Sequence, residues 1–206
     1  MTSVTVGAPH AHVEDPDTVG RRWRVGVLLL ILADAAFVGA LVFSYFYLRG
    51  LNTEQAWLAD GQDTAVIWVG WAIAAGAVLS ALVFRWARDG IRAGDESRFV
   101  AGTLVALVVV LADAIGQVVQ IASFPFGVDA SAYSSSMYVL AGANLFHLVV
   151  TSFIGLAMWN RGRQHIYTQS SHWQVELVWL WWGWIAIAAT IGAFATSFIA
   201  SPNIGG

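Results

Sequence analysis

The chain has 206 residues, of which 58% are hydrophobic and 11% charged, with 11 Trp, 20 Gly and a mean hydropathy of +0.66. Soluble domains carry roughly 25% charged residues, so this composition excludes an ordinary water-soluble fold and makes membrane spans the useful unit of length. The absence of Cys and of Lys excludes disulfides, thiolate metal centres, cysteine nucleophiles and Schiff-base lysines, and a net charge of −3 gives no electrostatic reason to expect nucleic acid.

In chain order, the polar stretch to Gly20, with His10, His12, Glu14, Asp15 and Asp17, reads as the core of a cytoplasmic tail over residues 1–22, ahead of a single membrane domain, 23–206. The His-x-His pair has no third ligand nearby and is a weak metal signal. Five apolar runs follow, at about residues 25–48, 65–84, 99–122, 137–159 and 177–200. The first lacks a cleavage site and is expected to remain as an anchor. Only Asp34 and Asp113 place a charge inside these runs. Continuously apolar stretches such as Val25–Ala33 and Leu104–Leu111 do not alternate as barrel strands do, so the expectation is an all-α integral membrane protein, a bundle of five transmembrane helices.

The arginines set the expected topology. Arg21, Arg22 and Arg24 precede the first run, Arg85, Arg88, Arg92 and Arg98 lie between the second and third, and Arg161 and Arg163 between the fourth and fifth; only Arg49 is on the other side. Positive residues in short loops stay in the cytoplasm, so the N-terminus is expected inside and the C-terminus outside. Trp23, Trp86, Trp159, Trp179, Trp181 and Trp182 then fall towards the inner ends, and Tyr45, Tyr47, Trp68, Trp71 and Tyr138 towards the outer ends, as interfacial aromatics do. Ala72, Gly76 and Ser80 on the second span, and Gly183, Ala186, Thr190 and Ala193 on the fifth, have the small-residue spacing of helix-packing seams.

Ionisable groups inside a membrane are costly, which makes each a candidate site. At 1.5 Å rise per residue, Asp34 lies ~14 Å from the inner end of its span and His147 ~15 Å from the outer end of an antiparallel one. In a hydrocarbon core ~30 Å thick these depths meet near the midplane. Two readings stand side by side: a direct or water-bridged Asp34–His147 pair, or separate partners for each. Asp113 lies ~21 Å from the inner side, near the level of Asn144, and shares one face of its helix with Gln117 and Gln120. That stripe faces protein or water, as a helix contact or a functional surface. Glu176 and His172 sit one turn apart near the inner surface, either as a proton-entry feature or as an interface anchor at a helix start.

This inventory constrains chemistry. A bound haem needs paired axial ligands and a haem–copper centre needs several imidazoles, whereas His147 is the one intramembrane His; no cofactor, metal or catalytic group is expected in this chain. No Ser at equal depth completes a hydrolase site. Proton handling, transport and support of another subunit remain.

Four patches, together spanning most of the chain, narrow this choice. Leu32-Ala33-Asp34 to Gly39, closing with Tyr45-Phe46-Tyr47-Leu48-Arg49, is similar to a helix in which Ser-Glu precedes aromatics, a Gly and Tyr-Phe-x-x-Arg. Gly116-Gln117 followed by Phe124, Phe126 and Tyr133 to Tyr138 resembles a Gln-and-aromatic helix exit. Tyr138-Val139-Leu140-Ala141-Gly142-Ala143-Asn144-Leu145-Phe146-His147 resembles Tyr-x-Leu-Thr-Gly-Phe-His-Gly-x-His, and His172-Trp173-Gln174-Val175-Glu176-Leu177-Val178-Trp179 resembles Trp-His-Phe-Val-Asp-Val-Val-Trp. In these patches the sequence resembles subunit III of the haem–copper respiratory oxidases, in the five-helix form that lacks the family's first two helices. The sequence departs from the pattern at Asp34 (Glu in the family), at Asn144 (the first His), at Glu176 (Asp) and in the interchanged His172-Trp173.

The resemblance implies a non-redox, non-catalytic subunit of a proton-translocating cytochrome c oxidase in a prokaryotic plasma membrane. It would stabilise the catalytic subunit and support proton uptake. Its implied partners are the catalytic subunit I, the copper-bearing subunit II and membrane phospholipid, with a larger respiratory supercomplex also admitted. Haem and copper are expected in the partner subunits. A quinol oxidase or nitric oxide reductase is the alternative host. From a different class, a small proton-coupled transporter would use Asp34 and Asp113, but five spans do not divide into inverted halves and Pro125 and Pro202 lie at helix ends.

Overall fold

A computed structural model describes residues 16–52 and 57–200. Five helices run through them: α1 (Pro16–Leu51), α2 (Ile67–Arg92), α3 (Glu96–Ala122), α4 (Ala132–Arg163) and α5 (Trp173–Thr196). Each is long and apolar enough to cross a membrane, as the five apolar runs predict. Most helix ends outrun those stretches, because an α-helix continues into polar sequence until a cap ends it, whereas α2 starts two residues inside its run and α5 stops at Thr196, four residues short. Most of the expected tail, with His10 and His12, lies outside the described residues, but from Pro16 onward the chain is already helical. Proline suits a first helical turn, where its missing N–H has no acceptor to lose.

The caps are local. Gly94 has φ +81°, which a glycine adopts without a Cβ penalty, and lets the chain reverse between α2 and α3. The Asp95 carboxylate then accepts from Arg98 N–H at 2.8 Å to start α3, and Ser131 Oγ accepts from Ser134 N–H at 3.2 Å to start α4. Among the described residues, β structure is limited to the isolated bridge Thr168–Ser171 in the α4–α5 loop.

Helix α2 packs between α3 and α5, and α4 closes the group against α3 and α5. The main core joins Phe84, Phe99, Leu107, Val110, Leu148 and Trp182; Trp182 stacks on Phe84 with centroids 4.4 Å apart and donates to Ser80 Oγ at 2.6 Å. Ala74 and Ala77 meet Ala189 and Ala193, a small-residue seam that brings α2 and α5 close. The seam is turned from the expected stripes: Ala72 is exposed, Gly76 faces Asp113 on α3, Gly183 meets no neighbour among the described residues, and Ala74 and Ala77 carry the α5 contact, with Ala193 the shared member.

Helix α1 is different. It packs on α4 and α5 alone, and its outward side, with Leu28, Leu29, Leu32 and Phe43, is exposed. Two expected interfacial groups prove internal. Trp181 and Trp182 are buried because α5 carries aromatics on all sides and two of them point into the bundle. Tyr45 is fully buried in a cap at the arginine-poor face, edge-on to Trp57 at 5.0 Å, with its OH donating to the Phe198 carbonyl at 3.3 Å. Trp57 donates to the Ile199 carbonyl at 2.7 Å and packs on Tyr133. The end of α1, the α1–α2 loop and the segment after α5 are thereby tied together.

Candidate functional site

Asp34, midway along α1, is the polar centre of the α1 contact. Its Oδ1 lies 2.9 Å from His147 Nε2 on α4, one hydrogen bond whichever partner holds the proton, and its Oδ2 accepts from Trp184 Nε1–H on α5 at 2.6 Å. His147 is 2% exposed and the Asp34 side chain 16%, so the pair sits inside protein although α1 itself lies at the edge. Beneath His147, Thr151 donates to the His147 carbonyl at 2.8 Å and accepts from Trp181 Nε1–H at 3.1 Å. One carboxylate therefore joins three helices, with both oxygens engaged, as a polar group in hydrocarbon requires.

Beside the pair lies a cavity of about 60 Å³. Val38 and Leu41 of α1 form an apolar wall, and Gln117, Gln120, Asn144 and His147 a polar one. The amides are chained: Asn144 Nδ2 donates to Gln117 Oε1 at 2.7 Å, and Gln117 Nε2 to Gln120 Oε1 at 2.7 Å. Asp113 parts company with this stripe. Its carboxylate fills the space left by the missing side chain of Gly76 on α2, where a Cβ would collide with it, and its Oδ2 is buried with no hydrogen-bond partner among the described residues. The expected Asp113–Asn144 level is therefore occupied by two separate contacts, because Gly76 offers Asp113 a nearer berth.

A second polar cluster covers the arginine-rich face. Glu176, in the first turn of α5, accepts from Arg92 Nε and Nη2 at 2.6 and 2.7 Å in a two-point fork. Arg88 Nη1 and His172 Nε2 stand 3.9 and 3.8 Å from the same carboxylate. Arg88 also pairs with Asp89 at 2.8 Å and lies over the Trp179 ring at 4.9 Å. The carboxylate sits at a helix N-terminus, where a negative charge is favoured. Nearby, Tyr167 packs edge-on against Phe99 at 5.6 Å in the α4–α5 loop, and its burial holds the phenol pKa above the ordinary value.

Sequence reasoning missed Trp184 and the Arg92–Glu176 fork. Trp184 had a usable signal, since an indole N–H is donor-only and needs an acceptor when buried. The fork joins residues 84 apart, and only the fold sets that proximity. Among the described residues no group of three or more His, Asp or Glu is placed to hold a metal ion.

The model of the family "Cytochrome c oxidase subunit III" matches residues 10–191. Proteins named cytochrome c oxidase subunit 3 are similar to it. That of Prototheca wickerhamii is 23% identical, covering 85% of this chain and 68% of its own length; that of Cyanidium caldarium is 23% identical, covering 78% and 67%. That of the cyanobacterium Synechocystis sp. is 24% identical, covering 90% and 78%. The chain therefore belongs to the cytochrome c oxidase subunit III family, and is a membrane subunit of an oxidase complex. The alternative hosts and the transporter reading are not favoured by these matches.

Proposed function

We propose that this chain is a non-catalytic subunit III in the plasma membrane of a prokaryote, docked on a haem–copper catalytic subunit I and a copper-bearing subunit II, with phospholipid at its surface. The carrying observation is the family match, which runs through α1 to α4 and most of α5, and so through every residue of the polar clusters. In this reading haem and copper stay with the partners, because the one buried imidazole already gives its Nε2 to Asp34.

Its contribution is mechanical and protonic. Asp34 and His147 act as a buried proton-linked or structural pair that holds α1 on the bundle. Gln117 and Asn144 support the polar wall beside it, Asp113 fixes α2 on α3, and Glu176 and His172 stiffen the arginine-rich face, where protons would be taken up. A rigid neighbour of this kind slows the loss of metal from an adjoining centre by keeping its surroundings in place.

The test is to solubilise membranes in mild detergent, capture a tagged copy of the chain, and follow haem absorption and oxygen consumption with reduced cytochrome c. A haem-bearing partner is expected to comigrate, and complexes stripped of the chain should start at a normal rate and then inactivate faster. A tagged chain that comigrates with no haem protein, or stripped complexes that last as long as intact ones, would overturn the reading.

A further inference from the structure

The cavity beside Asp34 and His147 is one-sided. Its lining comes from Val38, Leu41 and Val42 in the second half of α1, Gly70 at the start of α2 and Gln117 and Gln120 at the end of α3. On α4 it spans the first half as far as His147, and on α5 it occupies the last third, from Ala188 to Thr196. All of these positions lie between the midplane and the face that carries the 52–66 and 123–131 loops, the arginine-poor face. Beneath the pair, towards the arginine-rich face, Trp181, Trp182, Leu148 and Ile185 are buried and Thr151 spends its hydroxyl on His147 and Trp181; the pocket of about 220 Å³ on that side lies apart, between α3 and α4, and is walled by apolar groups such as Leu107, Val149, Phe153 and Leu156.

The polar wall is also unfinished. His147 Nδ1, Asn144 Oδ1 and Gln120 Nε2 bond to no described residue, although His147 is 2% exposed and all three residues line the cavity. If His147 donates from Nε2, its Nδ1 is a bare acceptor; if it accepts there, Nδ1 carries a hydrogen with nowhere to go. Water satisfies either state. A cavity of about 60 Å³ with several polar partners is roomy enough for a short file of water molecules.

We propose that this cavity is a water-filled inlet whose floor is His147, with Asp34 behind it on Nε2, so that the pair exchanges protons through the imidazole with the arginine-poor face and not with the face carrying the Arg88–Arg92–Glu176 cluster. The groups facing the pair from the packed elements agree with a local exchange. Helix α5 presents only Trp181 and Trp184, α3 presents amides while Asp113 is turned to Gly76, and α2 presents Gly70. Arg49 lies beyond the inlet at the end of α1, over the Phe198 ring at 5.9 Å. The inlet goes beyond the assignment to an oxidase. Because its two faces are defined by the loops themselves, it is independent of which face is cytoplasmic.

Two measurements on the assembled complex test it. Radiolytic footprinting of the wild-type complex generates hydroxyl radicals from bound water. Met137 and Met158 are equally buried on the same helix, at 6% and 5% exposure, but only Met137 lines the inlet. Oxidation of Met137 and His147 with Met158 spared is expected; equal silence of Met137, His147 and Met158 would overturn the proposal, since the cavity would be dry. For sidedness, the natural absence of Cys lets single thiols at A141C or A188C be exposed to silver ion from either face of sealed membranes, with loop thiols A59C and Q164C marking the faces. Both inlet thiols should lose later maleimide tagging when silver is added on the A59C side alone. Loss from the Q164C side would overturn the assigned direction, and protection from both sides would overturn the inlet.

Discussion

Helix α1 and the helices of the α2–α5 group are all apolar enough to cross a membrane, yet they are held by opposite means. Only 6% of the most apolar stretch of α1 is buried, against 33% to 44% for the other four helices. In the group, alanines, Gly76 and the Phe84–Trp182 stack bring backbones into close contact, and dispersion over many atoms holds them. On α1 there is little such area, and the midplane attachment rests on two hydrogen bonds from one carboxylate. Packing spreads stability over many residues. A polar latch concentrates it in one, where it is open to a single substitution.

The sharpest way to break the packed side is Trp182→Ala, which removes the stack on Phe84 and the bond to Ser80; it should cost about 3–5 kcal/mol. Unfolding in mixed micelles by a denaturing detergent would measure it, with an unchanged midpoint contradicting the packing account. On the latch side, Asp34→Ala removes two interhelical bonds worth about 1–2 kcal/mol each in a membrane. The complex is expected to keep its initial turnover and lose the subunit, and then activity, faster. Equal inactivation rates for wild type and variant would remove Asp34 from any functional role. Gly76→Ala inserts a methyl where the Asp113 carboxylate sits, an overpacking cost of about 1–3 kcal/mol that acts on α2–α3 and leaves α1 attached. Protease protection of each helix would separate the two effects.

The smallest effect is expected from Glu176→Gln. Its fork with Arg92 is short, but the side chains are 30% and 48% exposed, so water screens it and stability should change by less than about 1 kcal/mol. A change confined to the rate of sustained turnover, with the melting transition unmoved, would mark this cluster as protonic in role; a large fall in stability would show that it is a structural clamp.

The sequence carried depth well and rotation badly. Rise per residue is fixed by helix geometry, so the levels of Asp34 and His147 could be computed from residue number, and the structure brings the two together. Which neighbour a side chain meets depends on how each helix turns about its axis, and that is settled by small contacts far along the chain. Asp113 therefore went to Gly76 rather than towards Asn144, and Trp182 went inward from a run of tryptophans whose composition alone favoured the interface. The Tyr45–Trp57–Phe198 cap was likewise out of reach, because carbonyls freed at the end of α5 carry no signature in the side-chain sequence.

The attachment of α1 to α4 and α5 alone also bears on how the protein is made. During synthesis α1 enters the bilayer ahead of α4 and α5, and neither of the next two helices to emerge packs against it. His147 follows Asp34 by 113 residues and Trp184 by 150, so the nascent chain must carry an unmatched acid in lipid, at a penalty of about 2.5–3.5 kcal/mol, until α4 and α5 have emerged. A truncated product would keep that exposed acid permanently. Asp34 is thus matched only when α4 and α5 have both arrived, so the order in which the helices emerge sets when α1 can settle on the bundle.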